Sequence, residues 1–82
     1  MGKLLEELGE LSVVAARCII QGIDEQDPGS GVINRCRLEC EIADVMAQCA
    51  MTIDILGLSS ELISERESDK IQRMKEWEAM FD

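Results

Sequence analysis

The sequence contains no histidine and no tyrosine, and its only aromatic residues are Trp77 and Phe81. Without histidine the chain lacks both the usual general base near neutral pH and the usual zinc ligand, so any hydrolytic chemistry falls to carboxylates and a hard cation. Basic residues are scarce, 8 against 17 acidic ones, and the resulting net charge of −9 disfavours binding to a nucleic-acid backbone. The four cysteines, Cys18, Cys36, Cys40 and Cys49, form no C-x-x-C pair and read as buried or half-buried free thiols of a reducing cytosol. Apolar stretches are broken by polar residues before they reach membrane-spanning length. Glu6 and Glu7 also interrupt the start before a leader-like run develops. These absences describe a soluble, cytoplasmic protein with no nucleic-acid or membrane partner.

What is present is helical periodicity. Leu4, Leu8, Leu11, Ala15, Cys18 and Ile19 recur at spacings of three and four, which predicts an amphipathic helix over about residues 3–21. Its second half, with Val13, Val14, Ala16 and Ile20 added, is apolar around most of the circumference, so a helix from another subunit is expected to cover the extra face. Residues 22–31 gather glycine, aspartate, serine and the single proline, Pro28, and form a chain-reversing connector whose Asp24, Glu25 and Asp27 read as a solvated acidic trio. A second helix is expected over about 33–56, capped by Ser30 or Asn34 and stopped by Gly57, with an apolar stripe of Leu38, Ile42, Val45, Met46, Cys49, Ile53 and Leu56. A third, over about 60–80, begins at Ser59 or Ser60 and carries a seam of Leu62, Ile63, Ile71, Met74, Trp77 and Phe81. The expected class is all-α, a single domain over 1–82: an antiparallel hairpin plus a third helix. A core of this size rarely supplies more than ~3 to 5 kcal/mol, so association of chains is expected.

Two pairs of carboxylates stand out. Glu41 and Asp44 lie one turn apart beside an apolar stripe, and at an effective dielectric near 20 two charges about 5 Å apart repel by roughly 3 kcal/mol. Such a pair asks for a cation or for a proton. Glu7 and Glu10 repeat the spacing on the first helix. In an antiparallel hairpin at 1.5 Å per residue, the two pairs fall within about one helical turn of each other. Glu7, Glu10, Glu41 and Asp44 are therefore candidate ligands of a magnesium ion, whose partly filled oxygen shell can be completed by water and phosphate oxygens. Arg66 and Lys70 on the third helix are the matching phosphate clamp. Ordinary surface charge accounts equally for the acidic quartet, and a solvated face balanced by Glu65, Glu67 and Asp69 accounts for the two cations.

The segment Glu6-Glu7-Leu8-Gly9-Glu10 followed by Glu41-Ile42-Ala43-Asp44 resembles the E-E-x-x-E and E-x-x-D motifs of MazG-like, all-α nucleoside triphosphate pyrophosphohydrolases. Asn34-Arg35 ahead of the second pair, and the basic third helix with Trp77, are similar to the short phage and bacterial branch of that family. The resemblance implies hydrolysis of a (deoxy)nucleoside triphosphate to the monophosphate and pyrophosphate, dependent on Mg2+ or on Mn2+ as its substitute. It further implies a homodimer or homotetramer in which helices assemble into a four-helix-bundle-like core. Carried over, Glu7, Glu10, Glu41 and Asp44 hold the metal, and Glu10 and Glu41 are catalytic, Glu10 acting on the attacking water. Lys70 and Arg66 hold phosphates, and Asn34 is either a helix cap or a substrate contact. Trp77 and Phe81 serve a core, a subunit interface or base stacking. The competing expectation is a non-catalytic acidic helical module for oligomerisation or adaptor binding. A calcium switch lacks its Asp-rich loop.

Overall fold

The structure, a computed structural model, describes residues 1–81, with side chains described through Met80, so the Phe81 side chain lies outside it. Three helices account for most of the chain: α1, Gly2–Gln21; α2, Asn34–Leu56; and α3, Ser60–Phe81. No strand forms among the described residues, where the only β pairing is an isolated bridge between Gln26 and Ile33. None of the described helices is long and apolar enough to cross a membrane.

Helices α1 and α2 pack against each other, and α3 has no comparable contact with either. The less exposed positions of α1 and α2 include a set that alternates by three and four. On α1 this set is Leu4, Glu7, Leu11, Val14, Cys18 and Gln21; on α2 it is Asn34, Leu38, Glu41, Val45, Gln48 and Thr52. This is the spacing of a coiled-coil seam, but half of its members are polar. Val14, 3% exposed, is its one buried apolar side chain among the described residues. The expected stripes are kept in part: Leu4, Leu11, Ala15, Cys18, Leu38, Val45 and Ile53 are half-buried. Leu8, Ile19, Ile42, Met46, Cys49 and Leu56 turn outward, with Ile19 86% and Ile20 82% exposed. Hydrophobic periodicity locates the apolar face of a helix, and the pair has buried the edge of it that also carries Glu7, Asn34 and Glu41.

Every described side chain of α3 is exposed as well. The whole measures 41 × 37 × 15 Å and presents 6511 Å² of accessible surface. A compact chain of 9.1 kDa exposes about 4,900 Å², so about 1,600 Å² is in excess.

The connector between α1 and α2 is fastened, and the solvated-trio expectation is corrected at Asp27, while Asp24 and Glu25 are exposed. Asp27 is buried, its carboxylate accepting from Ser30 N and Ser30 Oγ, both at 3.0 Å, and from Gln21 Nε2 at 3.2 Å. Those donors hold its carboxyl below the usual range. Asp24 takes the Arg35 guanidinium through Nε at 2.7 Å and Nη2 at 3.1 Å, and is lowered by that hydrogen bond first. Asn34 is 1% exposed. Its Nδ2 donates back to Gln21 Oε1 and to the Gly22 carbonyl, each at 3.0 Å. It is therefore not the helix cap, and neither is Ser30: Ile33 stands at that position with no side-chain bond to the helix. At the other end, Gly57 adopts left-handed φ 63, ψ 38, and Leu58 N reaches the Ile53 carbonyl at 2.9 Å, a Schellman stop. Ser59 then caps α3, its Oγ accepting from Leu62 N at 3.1 Å.

Candidate carboxylate centre

The α1–α2 seam brings Glu7, Glu10 and Glu41 together: one carboxylate oxygen of each lies within 4.8 Å of the others. Glu7 and Glu41 occupy seam positions and so point between the helices, while Glu10, one turn further along α1, stays exposed at the rim. Glu41 is 9% exposed. Its Oε2, like Oε2 of Glu7, is buried with no hydrogen-bond partner. The other oxygen, Oε1, sits 4.0 Å from Arg37 Nη2, the outer limit of an ion pair. Asp44 lies outside the group of three and is exposed, because residues 41 and 45 hold the seam and 44 is turned off it. Its charge still reaches Glu7.

Glu7 reports the electrostatics of the cluster. Burial raises its carboxyl above the ordinary value, and the negative charges of Glu10 and Asp44, a hydrogen bond shared with Glu10, and the charge of Glu41 add to the rise. The folded chain therefore keeps a proton on Glu7 at pH values where the unfolded chain has lost it. Stability from this group is gained as pH falls through that window above 4.5 and lost as pH rises through it. In chelator, the protein is expected to melt higher at mildly acidic pH than at neutral pH, and Glu7→Gln should flatten that difference. Asp24 and Asp27, whose carboxyls are lowered, act only at more acidic pH. Thermal melts of parent and variant across the range check this, and identical pH profiles would refute it.

Two buried carboxylate oxygens with no donor, crowded by a third acid, form a hard all-oxygen donor set. It fits a divalent cation of the magnesium type and does not fit a soft metal. The cysteines stay outside it. All four are free, Cys18 half-buried and Cys36, Cys40 and Cys49 exposed, more open than their expected burial. Glu6 pairs with Lys3 at 3.3 Å on the outer surface.

The third-helix residues are not brought to this centre. Arg66 lies beside Leu62, Glu65 and Asp69, and Lys70 shares a shallow concavity with Arg73, Met74, Trp77 and Glu78. Arg73 is engaged by Asp69. Asn34, nearly sealed by the connector, offers almost no surface to a ligand. Two cations that the sequence reading passed over do reach the centre: Arg17 and Arg37 line a concavity together with Glu10, Val13, Val14 and Glu41. Spacing held the signal, since Arg17 is two turns from Glu10 on the same face and Arg37 one turn from Glu41.

Fold and centre together define an all-helical protein with a seam-borne carboxylate cluster. Compared with known protein families, curated proteins and solved structures, the chain matches none of them.

Proposed function

We propose that the protein hydrolyses a (deoxy)nucleoside triphosphate to the monophosphate and pyrophosphate in a Mg2+-dependent reaction, as a MazG-like enzyme that clears nucleotides from the pool. The observation that carries this reading is the convergence of Glu7, Glu10 and Glu41 around two buried, partnerless carboxylate oxygens. Glu7, Glu10 and Glu41, with Asp44 one turn on, would hold Mg2+, or Mn2+ in its place. Bound there, the ion supplies neutralisation of phosphate charge and an acidified water. Glu10 is exposed at the rim and is the residue placed to orient the attacking water or take its proton, while Glu41 fixes the seam side of the centre. The helices would pair as an antiparallel hairpin, supported by the placement of Met1 and Gly2 beside Ile55 and Leu56. Homodimers or homotetramers would cover the outward apolar faces and build the four-helix core. Lys70 and Arg66 would join a centre only from the α3 of another copy. Exposed free thiols suit a reducing cytoplasm.

Pyrophosphate release from a panel of triphosphates tests the reading. Release is expected with magnesium and not with chelator, and equal release in both, or none with any triphosphate, would end it.

A second reading has its own observation, the complete exposure of α3. A non-catalytic acidic adaptor would use that helix as its contact. In that case magnesium leaves the melting temperature unchanged, whereas a hydrolase centre that binds the ion raises it.

A further inference from the structure

We infer that the concavity between α1 and α2 beside the carboxylate centre is an oligophosphate site, with Arg17 and Arg37 as its anion contacts. It has a volume of about 330 Å³ and is lined by Glu10, Val13, Val14, Arg17, Arg37 and Glu41. Both arginines are half-buried. Among the described residues Arg17 has no hydrogen bond or ion pair, and Asp27 is the acid that feels its charge. Arg37 has one ion pair, stretched to 4.0 Å. Two arginines that line one cleft, with few side-chain hydrogen bonds or ion pairs between them, match the oxygens of a phosphate group, which take parallel N–H bonds. The acids explain why the ligand is an oligophosphate and not a lone anion. Glu10 and Glu41 on the same wall repel a bare anion, and a divalent ion held there reverses that repulsion for the neighbouring phosphate.

The arrangement also gives a direction along the seam. Arg17 is seven residues past Glu10, about 10 Å along the helix axis. The ligand would therefore extend from the carboxylates toward the connector, away from the α1 N-terminus. This inference rests on the hydrolase reading only for the ligand's identity as part of a triphosphate; the phosphate site itself stands separately.

The experiment uses the full chain, inorganic pyrophosphate as probe, and titration calorimetry in magnesium. The parent is expected to bind. Arg17→Gln and Arg37→Gln should each weaken binding about 10-fold or more, the cost of losing a hydrogen bond to a charged group. Lys75→Gln, which removes the same charge from exposed α3, should leave the affinity as it was. Among the described residues the Arg17 side chain makes no hydrogen bond or ion pair, so its variant keeps the test open if Arg37→Gln fails to fold, and Arg37→Lys should give an intermediate loss. Failure of the parent to bind pyrophosphate would overturn the inference. So would unchanged affinity in Arg17→Gln, or an equal loss in Lys75→Gln. Pyrophosphate binding without any triphosphate hydrolysis would leave this site standing and remove the hydrolase reading; hydrolysis indifferent to Arg17 and Arg37 would do the reverse.

Discussion

Glu41→Gln should lower magnesium-dependent pyrophosphate release at least about 100-fold, since losing even the supporting partner of a metal ligand costs 10- to 100-fold. The same substitution should make the protein more stable in chelator. Glu41 is the most buried of the three acids, with one oxygen unpartnered and one cation no nearer than 4.0 Å. Neutralising it relieves repulsion from Glu7 and Glu10 and gives up only that stretched pair. The gain is of order 1 kcal/mol, small beside the roughly 3 kcal/mol for one close pair. In a domain of this size that is a rise of about 4 to 8 °C in Tm. Magnesium should raise the Tm of the parent and not of the variant. Opposite signs for activity and stability mark a site whose charges serve a ligand. A variant that loses stability while retaining turnover would show that Glu41 serves the fold alone.

Asn34→Ala is expected to be the most damaging single change to the fold. The side chain has 1% of its surface exposed and donates to both Gln21 Oε1 and the Gly22 carbonyl. Truncation removes that donor from both acceptors; the Gly22 carbonyl keeps the Glu25 N–H at 3.2 Å, so the loss falls on half-buried Gln21 Oε1, at about 1 to 3 kcal/mol. A cost of about 1 to 3 kcal/mol would lower Tm by roughly 5 to 20 °C. Gln21 also supports Asp27, so the loss should spread through the connector. Thermal melts give the first readout, and hydrogen exchange the second: amides of residues 22–34 should lose protection before those of α2. An unchanged melt would mean that the connector is held by Asp27 and Ser30 without Asn34.

The helices were readable because spacing, Gly57 and Ser59 act locally, and each does in the structure what its chemistry favours. The meeting of Glu7, Glu10 and Glu41 was readable too, because rise per residue sets the level of a side chain once two helices pair. Rotation was harder to read. The apolar stripe of α2 predicts which face avoids water in general, but the face buried against α1 is chosen by the connector. Asn34, Gln21 and Asp27 lock the first turn of α2 and so orient the whole helix. The same rotation puts Glu41 in the seam and leaves Asp44 outside the group of three. Asn34 looked like a cap because asparagine ahead of a helix usually bonds forward; here it bonds backward, to residues that only the folded connector supplies. Arg17 and Arg37 were individually unremarkable, and only the shared concavity distinguishes them from Arg66 and Lys70.

The excess of accessible surface, with Ile19, Ile20 and all of described α3 open, bears on how the protein responds to its own abundance. A chain whose apolar faces close only over another chain has a folding equilibrium that includes concentration. If the chains associate as proposed, dilution acts on this protein as heat acts on a monomer. Because Glu7 and Glu41 are positioned by the α1–α2 seam, the number of chains present would govern how many centres exist as well as how many molecules are folded.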